Sequence, residues 1–206
     1  MKNTKTFTLT AMFLAILILL AITPLGFIPL GPINATTMHI PVIIASIVLG
    51  PKIGGSLGGI FGFISLIRAT VMPTPISFVF SPFIPVIGTE HGSLKSLLIV
   101  FIPRILIGIV PYFVYTKLKE KVPASLFIAG VAGSLTNTIL VMNMIYFLFA
   151  DSYGEVIGKA GSAIYGAIIA VILTSGVPEA IVAGIATAGV SAVLLRLMKK
   201  NSTQKL

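Results

Sequence analysis

GFIPLGPINATTMHIP, residues 26–41, is where the chain leaves its first apolar run and opens into its second. Glycine and proline punctuate the stretch, which marks a loop between two apolar runs. Its apolar residues hold it near a membrane, while Asn34, Thr36, Thr37 and His39 supply small hydrogen-bonding groups as the next run begins. It reads as the lid and first wall of a small-molecule site.

The runs around it belong to a chain that is 56% hydrophobic and 9% charged, against roughly a quarter charged residues in a soluble globular domain. With a mean hydropathy of +1.10, apolar residues recur over all 206 positions, more than a soluble core of this size could bury. The fold class is therefore an all-α integral membrane protein, read as one membrane domain over 1–206. A bilayer core about 30 Å thick takes roughly 20 helical residues per crossing, which leaves room for about five to seven spans and no soluble enzymatic domain. The first run follows a basic start, but no small-residue cleavage signal precedes Thr23-Pro24, so it is read as a retained helix.

Helices are expected at 7–23, 38–50, 53–71, 97–116, 123–150 and 177–198. In the first, Ala11 and Ala15 stand one above the other, where small side chains let another helix approach closely. That neighbour is either a helix of this chain or a partner. The second run is short for a crossing, so it starts inside a recess shielded by protein or takes in part of the preceding loop. The third carries Gly54, Gly55, Gly58, Gly59 and Gly62, a smooth face for tight helix contact. Residues 72–96 are too proline-broken for a span, yet Phe78, Phe80, Phe83, Ile84 and Ile87 are too apolar for a free loop, so this connection is expected to fold, half-buried, over the site. Near the end, 162–174 is apolar but short. It reads as an interfacial or re-entrant helix, interrupted at Gly176, Pro178 and Glu179 before the last crossing, giving six transmembrane helices rather than seven.

Lys2, Lys5, Lys52, Lys117, Lys119, Lys121, Arg196, Lys199, Lys200 and Lys205 then fall on one side, against Arg68, Lys95 and Lys159 on the other. The richer side is cytoplasmic and holds both termini. The net charge of +9 is thus an orientation signal, not a nucleic-acid surface, since no lysine groove interleaved with aromatics appears.

Charged side chains at membrane depth face a cavity, a partner or the headgroups. Arg68 either snorkels to lipid phosphate or meets a ligand. Arg104, roughly 10 Å into its helix at 1.5 Å per residue, pairs with Glu179 or binds an anion. Glu179 is otherwise a structural counter-ion or a cap beside Pro178. Asn137 and Asn143 tie helices together or offer an amide to a ligand's hydroxyl and amide groups.

With no cysteine and two histidines, His39 and His91, no metal site is expected. His39 reads as a hydrogen-bonding wall residue. No hydroxyl nucleophile with a matched base is evident, so no catalytic residue is assigned and the chain is not read as an enzyme. No phosphate-cradling glycine loop followed by Lys-Ser/Thr is present, and no inverted hydropathy repeat of the kind many secondary carriers use is detectable. Any solute movement would then draw its energy from partner subunits. A stand-alone secondary transporter and a membrane protein that binds no solute stay open as other classes.

Five segments, GFIPLGPINATTMHIPV at 26–42, GPKIGG at 50–55, SFVFSPF at 77–83, SLTNTILV at 134–141 and GVPEAIVAGI at 176–185, resemble the substrate-binding membrane subunits, or S components, of energy-coupling factor vitamin transporters, most of all the pantothenate-type branch. The resemblance covers essentially the whole chain. It implies six helices, an outward-facing high-affinity site in a bacterial cell membrane, and no cofactor in this chain. It implies as partners a transmembrane coupling subunit and two ABC-type ATPases, which use the ATP and Mg, with the binding subunit toppling in the membrane to release substrate inward. Ala11 and Ala15 would face the coupling subunit. Pantothenate carries a carboxylate, an amide and two hydroxyls. Arg104 or Arg68 would meet the first, and Asn34, Thr37, His39, Asn137 and Asn143 the rest, with Thr36, Phe80 and Glu179 as further candidate substrate-binding residues. Riboflavin, the substrate of other relatives, would ask for more flat aromatic surface, for which Phe78, Phe80 and Tyr146 are candidates.

Overall fold

Helix α1 (Lys2–Ile22) is apolar over most of its length, and among its described side chains only Phe13 and Leu17 are buried, in a core cluster that also holds Met38 and Val42. This computed structural model describes residues 2–30 and 33–203, with side chains described at 4–26 and 36–199. After a tight turn at Pro24–Gly26, β1 (Phe27–Leu30) and β2 (Ile33–Thr36) pair antiparallel, with Phe27 opposite Thr36 and Leu30 opposite Ile33. The stretch expected to be a plain loop is thus a β-hairpin in an otherwise helical protein. The Thr37 hydroxyl donates to the Leu25 carbonyl at 2.6 Å, and the Thr37 amide to the Gly26 carbonyl at 3.2 Å, which closes its base.

Helix α2 (His39–Leu49) has almost every side chain buried, and a sharp turn at Gly50, whose φ of 97° suits glycine alone, folds the chain back into α3 (Pro51–Val71). The glycines of α3 face α4 (Lys95–Ile107). A methyl on Gly54, Gly58 or Gly62 would collide with the backbone oxygens of Gly108, Arg104 and Val100 respectively. The two helices therefore run antiparallel, backbone against backbone, over two turns. Helix α4 continues through Gly108 and Ile109 into α5 (Val110–Leu118), and Lys95–Leu118 together are long and apolar enough to cross a membrane.

Helix α6 (Ser125–Ile157) extends seven residues beyond the expected end and bends at Phe149, whose backbone is not helical. Gly158 caps it in the left-handed region. Next come α7 (Ser162–Val171) and α8 (Val177–Thr203). Here the sequence expectation needs correction: no break separates them. A π-helical turn over Ile172–Gly176 joins the two, so Ser162–Lys199 is one helical stretch. The wider turn accommodates the amide that Pro178 lacks, and Gly176 lets the turn sit against Thr138 of α6. Among the described residues five helices are long and apolar enough to span a membrane, and α2 is a shorter apolar helix.

Between α3 and α4, residues 72–94 lie over the ends of α3 and α6. Ile76, Phe78 and Val79 are buried with Ile145, Phe149 and Tyr153. Phe78 meets Phe149 edge to face, centroids 5.7 Å apart, and the hydroxyls of Thr70 and Ser81 are 2.7 Å apart, tying the segment to α3.

Candidate functional site

One face of each surrounding helix closes a cavity of about 510 Å³, inside the roughly 300–1,000 Å³ range of small-molecule sites. Helix α6 contributes Asn137, Thr138, Val141, Met142 and Ile145, spaced by threes and fours so that they share one face. Helix α3 contributes Ser65, Arg68 and Ala69 by the same spacing. The π-helical turn re-aims α8, so that Val171, Ser175, Gly176 and Glu179 reach the same space. Thr36, Phe80, Arg104 and Tyr153 complete the wall with Met72, Pro73, Thr74, Ile76 and Ser77.

Arg104 is the most constrained of these groups. It is 6% exposed, and its guanidinium lies 5.2 Å from the Phe80 ring centroid and 5.6 Å from that of Phe61. One terminal nitrogen donates to the Ile99 carbonyl at 3.0 Å, while Nε has no partner. Two aromatic rings thus hold the cation in place, while part of its donor edge remains unspent beside the cavity. Among the described residues no carboxylate pairs with it, Glu179 included. Asn137, 7% exposed, likewise keeps its Oδ1 without a partner. Buried polar atoms left in this way are costly unless a ligand or water meets them.

The structure brings together Thr36, Arg68, Phe80, Arg104, Asn137 and Glu179. Others stand elsewhere. The Thr37 hydroxyl is spent on the hairpin base. His39 is 2% exposed behind the wall, near Arg104, with both ring nitrogens unpartnered. Asn143 points around α6 from the cavity face and donates to the Ile139 carbonyl at 2.7 Å. The side chain of Asn34 lies outside the described residues. Ser65, Ser77, Thr138, Tyr153 and Ser175 also line the cavity without having been singled out; Ser65 and Ser175 sit three and four residues from Arg68 and Glu179, a helical spacing that could have flagged them. Ala11 and Ala15 are exposed on α1, turned away from buried Phe13 and Leu17.

A bundle of apolar helices around a cavity, with a buried arginine in its wall that no carboxylate pairs with among the described residues, defines a membrane protein that holds a small polar solute. Residues 5–195 match the family described as ECF transporter, substrate-specific component, and the chain belongs to that family. Over 165 residues, 80% of each chain, it is 46% identical to the pantothenic acid transporter PanT of Lactococcus lactis subsp. cremoris (strain MG1363). Over 214 residues, covering 97% of this chain and 96% of the relative, it is 29% identical to the pantothenate transporter PanT of Leuconostoc mesenteroides subsp. mesenteroides.

Proposed function

We propose that this chain is the pantothenate-binding subunit of an ATP-driven vitamin importer. The observation that carries the reading is Arg104: a buried, aromatic-clamped guanidinium that no carboxylate pairs with among the described residues, at a cavity sized for one small molecule. A carboxylate on the ligand would neutralise it, and a planar guanidinium reads a carboxylate by direction as well as charge. Arg68 lends further positive potential, while Thr36, Asn137 and Glu179 offer hydrogen-bonding partners to hydroxyl and amide groups. The names of both relatives point to the same vitamin. Riboflavin receives less support, because Phe78 is spent on Phe149 and Tyr146 packs on Tyr165, which leaves Phe80 and Tyr153 as the aromatic rings on the cavity wall.

In this reading α2 and the hairpin together make a sixth crossing, both termini are cytoplasmic, and the cavity opens outward at rest. The excess of Lys and Arg at the opposite connections supports that orientation. ATP is hydrolysed by two partner ATPases, with a transmembrane coupling subunit docking on α1 at Ala11 and Ala15; exposure of both alanines supports the docking face. The test is mass spectrometry of small molecules released from the gently purified protein, with calorimetric titration of pantothenate. Release of pantothenate and tight, saturable binding are expected; release of a flavin, or no pantothenate binding, would overturn the reading.

A further inference from the structure

Arg104 and Glu179 carry opposite charges on the wall of one cavity, and no ion pair joins them among the described residues. The guanidinium is clamped by Phe61 and Phe80 and tied to the Ile99 carbonyl. Glu179 lines the same cavity, where a carboxylate offers about four lone-pair sites. A carboxyl group in the wall of a site for an anion suits a ligand that is anionic at one end and rich in O–H or N–H donors at the other.

We propose that Glu179 is the specificity-determining residue for the donor end of the ligand: it accepts hydrogen bonds from the ligand's hydroxyls and excludes ligands that carry an anion there. The inference rests on the pantothenate reading and assigns the ligand a direction, carboxylate toward Arg104 and hydroxyls toward Glu179. Its consequence is discrimination between pantothenate and the ester phosphorylated on its terminal hydroxyl. The ester replaces that donor with a bulky dianion, which an ionised Glu179 repels where screening is poor. The subunit therefore takes the free vitamin and rejects its phosphorylated form, the product of the kinase-type reaction that would consume it.

The experiment is calorimetric titration of the purified full chain, wild type and Glu179→Gln, with pantothenate and with its phosphate ester. Wild type is expected to bind the ester at least 100-fold more weakly than pantothenate. Glu179→Gln is expected to weaken pantothenate binding roughly 10- to 100-fold, the value of hydrogen bonds to a charged acceptor, and to shrink the vitamin-to-ester ratio at least tenfold. Equal binding of both ligands by wild type would overturn the inference without the help of any variant. So would an unchanged ratio in Glu179→Gln, which would mean that bulk and not charge excludes the ester. Failure of wild type to bind pantothenate would instead overturn the substrate reading, and this inference with it.

Discussion

Gly58 of α3 lies directly beneath the backbone carbonyl of Arg104 in α4, with no room for a methyl group between them. The position of the buried cation is thus set by a glycine that does not touch the cavity. Overpacking of this kind costs roughly 1–3 kcal/mol and pushes the two helices apart at the residue that matters most. Gly58→Ala is expected to lower the thermal midpoint in detergent and to weaken pantothenate binding about tenfold or more. Gly59→Ala is the control: the nearest atom to its added methyl is a side-chain carbon of Ile105 at 4.0 Å. Matching behaviour of the two variants would show that the glycine seam does not position Arg104.

Arg104 itself makes a sharper prediction. Arg104→Gln removes the charge but keeps an amide donor, so it should weaken binding of pantothenate by roughly 10- to 100-fold, in line with charge-assisted hydrogen bonds. Pantothenol, which bears an alcohol in place of the carboxylate, should lose far less. Titration of both ligands against both proteins reads the difference directly. Equal weakening of the two would place the carboxylate somewhere other than Arg104.

How far the sequence could be read follows from what is local and what is not. Apolar runs and the small-residue spacing of α3 are one-dimensional signals, because bilayer thickness and the 3.6-residue turn map straight onto them. Gly54, Gly58 and Gly62 were legible for that reason. The rotation of a helix about its own axis is not local. Asn137 and Asn143 look equivalent as intramembrane amides, yet the cavity face of α6 passes through 137, 141 and 145 and leaves Asn143 bonded to its own backbone. His39 is buried near Arg104 without lining the cavity, a placement that its position in the sequence does not show. The Gly176-Val177-Pro178 triplet carries breaker residues, and only the packing of Gly176 on Thr138 reveals that they make a π-helical turn inside a continuous stretch. Pairing in the hairpin was equally hidden, because prolines and glycines in it signal a turn more strongly than a ladder.

The rings around Arg104 give a prediction independent of hydrogen bonding. Phe80 comes from the 72–94 connection and covers one face of the guanidinium at 5.2 Å. A cation–π contact is worth about 0.5–2 kcal/mol, more when desolvated, so Phe80→Leu should cost roughly 2- to 30-fold in pantothenate affinity while Phe80→Tyr retains it. The apolar volume of leucine limits the packing loss. Titration of the three proteins decides the matter, and leucine binding as well as phenylalanine would reduce Phe80 to a wall residue with no hold on the cation.

Helix α1 carries the remaining prediction, since its role is assembly and not binding. At about 100° per residue, Ala11 and Ala15 point nearly opposite to Phe13 and Leu17, the buried side chains that, with Leu14, Leu20 and Ala21, fasten α1 to the core. Substitution at the alanines therefore leaves the core contacts of α1 untouched. In the lipid phase a helix pair gains from close approach of small residues, because burial of apolar surface offers nothing over lipid tails. Ala11→Trp combined with Ala15→Trp should then leave pantothenate titration unchanged, while co-purification with the transmembrane coupling subunit and ATP-dependent uptake into vesicles both fall at least tenfold. Loss of vitamin binding would mean that α1 supports the cavity instead; normal assembly and uptake would move the coupling surface to another face of the bundle.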